Sequence, residues 1–243
     1  MERVGEHPVP VGPLAVRWLA YELDESRAGV CGKARLQLEN AGSAPWRSRG
    51  REGVQLSYHW LDALGNAIVW DGPRTALPHV VEPGQVTELD VVVVAPRPPG
   101  RYRLAFDLVE ELRFWFQEVG SAPLDLPVDV RPRISERRLG VVVHGAPDPV
   151  TEAALALQEE SVVAEEAVAV AHLVPGALPA PDWSRRLLDA HEEGYGAVGG
   201  AIAAESRADR RRLPVPRVDP RLGREGHQAL HDRLPVLLED GTA

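Results

Sequence analysis

Between residues 14 and 130, the chain breaks into about seven short segments in which apolar and polar side chains alternate. In residues 33–40, for example, Leu36 and Leu38 fall on one side, and the polar side chains between them fall on the other. A period of two indicates a strand with one buried face. Short strands at regular spacing, without a convincing helix among them, predict an antiparallel β-sandwich with an immunoglobulin-like topology.

The pattern changes after residue 138, where continuous apolar runs typical of buried parallel strands alternate with helical segments. Asp148 and Asp182 stand at the N-cap positions of the two predicted helices. The order β–α–β–α–β predicts a small α/β unit, with elements at residues 139–145, 148–160, 167–174, 182–194 and 195–203. We therefore divide the chain into a sandwich (1–133), an α/β segment (134–204) and an Arg- and Pro-rich tail without an assigned core (205–243).

Charge and cysteine content exclude several classes of protein. The net charge of −9 argues against nucleic-acid binding, and the basic run at residues 207–212 is typical of a solvated helix. Cys31 is the only cysteine, which rules out an internal disulfide and a multi-cysteine metal site. No apolar run approaches the roughly 20 residues of a membrane span. The first 13 residues lack a signal-peptide pattern, so we expect a cytoplasmic protein.

Five of the six tryptophans lie in the β half, where each one taken singly is most simply a core residue. Trp115 alternates with Phe114 and Phe116, so it faces outward if they face the core. Trp46 follows a loop-like run and is expected at a strand end. An exposed tryptophan on a sandwich stacks on a sugar ring or joins a protein interface.

A turn follows Trp70 and carries two charged residues, Asp71 and Arg74. They either bind a ligand or pair with each other to brace the loop, and we favour bracing. The resulting candidate surface for a glycan or a partner protein consists of Trp46, Trp70, Asp71, Arg74 and Trp115.

Four stretches of the β half carry a resemblance: "LENAGSAPW" (38–46), residues 56–78, residues 81–102 and residues 106–123. Together they resemble an immunoglobulin-like accessory domain of bacterial glycosyltransferases and polysaccharide assembly proteins. The resemblance implies a sandwich that binds carbohydrate.

The stretches 139–157 and 167–203 resemble parts of a family 2 glycosyltransferase of the GT-A fold. That family needs carboxylates at a strand end to hold Mg²⁺ or Mn²⁺. Here the matching positions read "AHLVPGA" (171–177), and His172 alone is a poor ligand for a hard cation. The resemblance therefore implies a shortened, degenerate segment, to which we assign no catalytic residue, metal or cofactor.

His227 and His231 stand four residues apart, as zinc ligands on one helix would, but no third ligand lies nearby in the sequence. Three hypotheses remain. The first is a non-catalytic accessory protein that binds a glycan or a protein. The second is a residual glycosyltransferase that uses a nucleotide sugar, and the third is a scaffold in a biosynthetic cluster. The sequence assigns no oligomeric state.

Overall fold

The computed structural model describes residues 1–50, 52–146, 148–163, 165–199 and 236–238. The chain forms two compact units. The first contains residues 1–96 and 100–131, and the second contains residues 97–99 and the chain from residue 132 onward. The described residues are mostly β-structure and include two α-helices.

The first unit is built from strands, with one short 3-10 helix at Phe116–Val119. Its strands are β1 (Glu2–Arg3), β2 (Val16–Leu23), β3 (Cys31–Asn40), β4 (Ser48–Arg49), β5 (Glu52–Leu61), β6 (Ala67–Val69), β7 (Thr75–Ala76), β8 (Val86–Val94), β9 (Gly100–Glu110), β10 (Phe114–Trp115) and β11 (Leu124–Val130).

These strands form two antiparallel sheets. One has the order β1-β2-β3-β8. In the other, β9 pairs with β5, β10 and β11, and β5 also pairs with β4, β6 and β7. Strands β2, β3 and β8 match A, B and E of an immunoglobulin domain, and β5, β9 and β11 match C, F and G. The first unit is therefore an immunoglobulin-like β-sandwich, as its sequence pattern predicts.

The core lies between the two sheets and follows the predicted alternation. Leu36 and Leu38 of β3 are fully buried, as are Leu56, Tyr58 and Trp60 of β5. Two of the aromatic side chains also hydrogen-bond across the core. The indole of Trp60 donates to the carbonyl of Val94 (2.9 Å), and the hydroxyl of Tyr58 accepts from the amide of Val94 (2.9 Å). Truncating any of these large side chains to alanine typically costs about 2–5 kcal/mol.

Strand β5 is buried on its outer face as well, although that face carries polar residues. Gln55, Ser57 and His59 are all buried. The connection between β6 and β7 covers this face, since the hydroxyl of Ser57 donates to the carbonyl of Gly72 (2.8 Å) and the ring of Trp70 stacks on His59. Gly72 also lies close to the core side of β5, where a Cβ would be 2.7 Å from the ring of Tyr58. Glycine is required there, because only hydrogen fits. The result is a second, polar layer of packing outside the sandwich core.

The second unit contains two small parallel sheets and both described helices. Strand β12 (Leu139–Val143) lies between β13 (Val162–Val163) and β14 (Ala169–Leu173), and β15 (Ala197–Gly199) pairs with β16 (Val236–Leu238). The helices are α1 (Pro149–Ala156) and α2 (Trp183–Glu192).

Of the two predicted N-caps, one makes the expected capping hydrogen bond and the other does not. The carboxylate of Asp148 accepts from the amide of Thr151 (3.1 Å) and caps α1. Asp182 stands at the N-cap of α2 but makes no capping hydrogen bond with its side chain. Residues 200–203 of the third predicted strand lie outside the described residues, as does the tail from 205 onward except for β16. None of the described helices is long and apolar enough to cross a membrane.

Candidate ligand-binding site

Trp46 lies in the sandwich core, which corrects the expectation that it sits exposed at a strand end. Its backbone pairs with Val81 through two 3.0 Å hydrogen bonds, and its side chain is 0% exposed. The ring packs edge-on against Phe116, with centroids 5.9 Å apart. Because the bridge to Val81 draws the side chain between the sheets, Trp46 cannot contact a ligand.

Trp115 faces outward, as its alternation with Phe114 and Phe116 predicts, but it is buried, at 7% exposure. Phe116 lies in the sandwich core and Phe114 packs against that core, so the alternation holds through residue 116. The expectation that Trp115 is exposed is wrong, because the loop that carries Trp70 and Arg74 covers its ring. The indole lies over the outer face of the β5–β9 sheet, where its ring meets that of His59 at a centroid distance of 4.3 Å.

Trp70 is the exposed tryptophan of the predicted set, with 44% of its surface open to solvent. Its ring stacks on His59, with centroids 4.1 Å apart and planes 22° from parallel. Trp115 meets Trp70 edge-on at 6.1 Å. The three centroid distances form a triangle with nearly a right angle at His59, so both supporting rings lie on the same side of Trp70. With that side occupied, the exposed 44% of the side chain lies on the opposite side of the indole and along its edges.

His59 fastens Trp70 through its ring and through a hydrogen bond. Its Nδ1 contacts the backbone carbonyl of Trp70, and because a carbonyl can only accept, Nδ1 carries the proton. Its Nε2 lies 3.5 Å from the side-chain amide nitrogen of Gln117, which can donate to it. Burial lowers the pKa of His59, against the opposing effect of the bond to the Trp70 carbonyl. The support beneath Trp70 is therefore a neutral aromatic ring.

Arg74 braces the loop that carries Trp70, as we favoured from the sequence. Its guanidinium pairs with Asp71 (2.9 Å) and with Glu111, and it donates to the hydroxyl of Ser57 (3.1 Å) and the carbonyl of Gly72 (3.1 Å). The guanidinium carbon also lies 4.9 Å from the centroid of the Trp115 ring. Asp71, in contrast, keeps most of its carboxylate exposed next to Trp70.

Asp107 is a buried acid in this region that the sequence pattern does not single out. It lies on the outer face of β9, opposite Ser57, and is 1% exposed. Its two carboxyl oxygens accept from the amides of Leu108 (2.8 Å) and Gln117 (3.2 Å). Burial outweighs these bonds and raises the pKa of Asp107 to about 7. Strand alternation places this residue on an outer face, where an aspartate is ordinarily solvated. Its burial could not be predicted, because the sequence does not show that loops cover this face.

Among the described residues, no group of three or more His, Cys, Asp or Glu side chains is arranged to hold a metal ion. What the loop presents to solvent is one aromatic face with a carboxylate beside it. We call Trp70 with its supports His59 and Trp115, together with Asp71 and Arg74, the Trp70 platform.

No family model and no curated protein matches the chain. Solved structures with some similarity include the C-terminal domain of Wzt, with 11% identity over 49% of this chain and 75% of that one, at a TM-score of 0.35. A CARDB domain from Pyrococcus furiosus has 13% identity over 45% of this chain and 89% of that one, at 0.28. A family 123 glycoside hydrolase from Clostridium perfringens has 14% identity over 49% of this chain and 25% of that one, at 0.24.

These similarities are low, and the fold assignment rests on the strand order of the two sheets instead. The comparisons give no support to a glycosyltransferase segment in the second unit. The chain therefore carries an immunoglobulin-like sandwich, with a braced and partly exposed tryptophan on its outer face.

Proposed function

We propose that the sandwich is a carbohydrate-binding accessory module, and that the solvent-facing side of Trp70 stacks on a sugar ring. The observation that carries this proposal is the geometry of the indole. One side rests on His59 and Trp115, and 44% of the side chain is open to solvent. An aromatic ring held in this way is suited to packing against the C–H face of a pyranose.

Rigidity is the reason for favouring a binding role over an accidental exposure. Ordering a flexible side chain on binding costs about 0.5–1.5 kcal/mol. The Trp70 platform avoids most of that cost, because His59 holds both the ring and the backbone carbonyl of Trp70 before any ligand arrives. Arg74 adds to this rigidity, because it donates hydrogen bonds to Ser57, Gly72 and Glu111 and so ties the loop of Trp70 to the sheet.

The polar groups at the edge of the platform match the hydroxyl groups of a sugar. The exposed carboxylate of Asp71 accepts hydrogen bonds, and its salt bridge to Arg74 fixes its position. A standard protein interface involves about 20–30 residues on each side. A single aromatic face beside charged groups corresponds better to a ligand of one or two sugar rings.

The proposal is of a binding protein without glycosyltransferase activity. The stretch at the end of β14 that resembles the metal-binding strand end of a glycosyltransferase contains no carboxylate, and its His172 is a poor ligand for a hard metal ion. Binding through the Trp70 platform needs no metal and no acid–base pair.

Isothermal titration calorimetry with a panel of bacterial polysaccharide fragments tests this function, with tryptophan fluorescence recorded in parallel. We expect saturable binding of at least one fragment together with a fluorescence change, because Trp70 is the most exposed of the five tryptophans of the first unit. A flat heat and fluorescence response across neutral, acidic and amino-sugar fragments would contradict the proposal.

A further inference from the structure

Two histidines meet at the carboxyl ends of neighbouring parallel strands in the second unit. His172 lies on β14 opposite Val142 of β12, and His144 follows directly after β12, where its amide donates to the carbonyl of Leu173 (2.8 Å). The adjacent strand ends bring the two side chains together. Nε2 of His144 lies 2.8 Å from Nδ1 of His172, with the rings 5.0 Å apart and 23° from parallel.

The spacing of these two nitrogens fits metal coordination as well as a hydrogen bond. Metal–imidazole bonds of about 2.0 Å place two nitrogens about 2.8 Å apart at a 90° angle, and about 3.3 Å apart at a tetrahedral angle. The observed 2.8 Å therefore matches the nitrogen spacing of two neighbouring positions in a square-planar or tetragonal centre, which the rings reach by turning their nitrogens toward a common point. In a hydrogen bond between the two rings, one ring carries its proton on the bridging nitrogen. A metal ion needs both bridging nitrogens free, so that ring carries its proton on the other ring nitrogen when the metal binds.

Both imidazoles are exposed, so an ion can reach them from solvent. Asp148, four residues after His144 at the start of α1, already accepts hydrogen bonds from the protein. Its Oδ2 accepts from the amide and hydroxyl of Thr151 and from the amide of Gly176. In the part of the chain that the structure describes, no third His, Cys, Asp or Glu completes a cluster with the pair. The protein thus contributes two nitrogen ligands.

We propose that His144 and His172 form a two-imidazole site for a borderline divalent transition metal, with water in the remaining positions. Square-planar nitrogen ligation favours Cu²⁺ and Ni²⁺, and Zn²⁺ binds after the pair widens toward the tetrahedral spacing. Mg²⁺ and Ca²⁺ require oxygen ligands and do not bind. The site is independent of the Trp70 platform.

The test begins with the untagged full chain and calorimetric titrations of Mn²⁺, Co²⁺, Ni²⁺, Cu²⁺, Zn²⁺ and Mg²⁺. We expect affinity to rise from Mn²⁺ to Cu²⁺ in the Irving–Williams order, with no binding of Mg²⁺. Electron paramagnetic resonance of the Cu²⁺ complex should show two coordinated imidazole nitrogens. The absence of Cu²⁺ binding, or a spectrum with fewer than two such nitrogens, would overturn the proposal.

Variants then locate the site. His144→Ala and His172→Ala should each weaken Ni²⁺ and Cu²⁺ binding at least about tenfold, since even the outer partners of metal ligands contribute 10- to 100-fold to affinity. The double variant His227→Ala/His231→Ala is the matched control and should bind like the unmodified protein. If the control variant loses the metal while H144A and H172A keep it, the site lies elsewhere and the proposal is wrong. Circular dichroism checks that each variant is folded.

Discussion

Trp70 lies flat on His59, with ring centroids 4.1 Å apart, and its backbone carbonyl contacts Nδ1 of the same histidine. The histidine is buried on the outer face of β5, while the indole is the exposed half of the pair. A buried histidine therefore holds an exposed aromatic ring in place. A substitution that disturbs His59 is expected to affect both the stability of the polar layer on β5 and ligand binding by Trp70.

Replacing His59 with alanine should weaken sugar binding, although His59 lies beneath Trp70 and does not touch the ligand. Without the ring below it, Trp70 must be ordered when the sugar binds, at a cost of about 0.5–1.5 kcal/mol, or about 2- to 10-fold in affinity. Acrylamide quenching of tryptophan fluorescence should rise as the indole gains freedom. His79→Ala, which removes an exposed histidine of the same unit, is the control. Equal losses of affinity in both variants would contradict a positioning role for His59.

Asp107 should make the stability of the first unit depend on pH. Its pKa is about 7 in the folded protein, compared with about 4 in an unfolded chain. Between these values the folded state keeps a proton that the unfolded state has lost, so stability falls as pH rises from about 4 to about 7. The shift of about three units sets an upper limit of about 4 kcal/mol on this loss.

Urea unfolding of the unmodified protein and Asp107→Asn at several pH values isolates this contribution. Asparagine does not titrate. Its side-chain NH₂ group would face one of the two backbone N–H groups that donate to the Asp107 carboxyl, so one of these two hydrogen bonds is lost. At pH 5 the variant should be clearly the less stable protein, and the difference should shrink toward pH 8. A stability difference that stays constant from pH 4 to pH 8 would show that Asp107 is ionised in the folded protein throughout.

Arg74→Met should destabilise the first unit by about 1–3 kcal/mol, because it leaves the largely buried carboxylate of Glu111 without its partner. Arg35→Met is the matched control, since Arg35 pairs with Asp90 and Glu88 on an open sheet face. Exposed pairs of that kind contribute at most about 1 kcal/mol. Denaturant titrations at pH 7 compare the two, and a smaller effect for Arg74 than for Arg35 would contradict the bracing role.

Sequence patterns predicted the sandwich well, because its core strands alternate and each pairs along its length. They failed where the chain folds over an already complete sheet. The local sequence does not distinguish a polar strand face that meets solvent from one that a loop covers. The burial of Ser57 and Asp107 was therefore not predicted. The exposure of Trp115 was mispredicted for the same reason, since the ring lies on the outer side of the sheet as the alternation predicts, but Trp70 and Arg74 cover it.

The pairing of Asp71 with Arg74 was predictable, because residues three apart in a turn lie within reach of each other. The stacking of Trp70 on His59 was not, since it joins a loop to a strand eleven positions earlier in the chain. Trp46 illustrates the same limit: a loop-like sequence before it gave no sign of the bridge to Val81 that buries it.

The most direct test of the central claim compares the affinity of Trp70→Ala and Ile68→Ala for a sugar fragment that the unmodified protein binds. Both side chains are about half exposed and lie two residues apart, but only Trp70 stacks on His59. Loss of a central aromatic contact costs about 2 kcal/mol or more, so W70A should bind at least about 30-fold more weakly, while I68A should stay within about twofold. Undiminished binding by W70A, or an equal loss in I68A, would contradict the account.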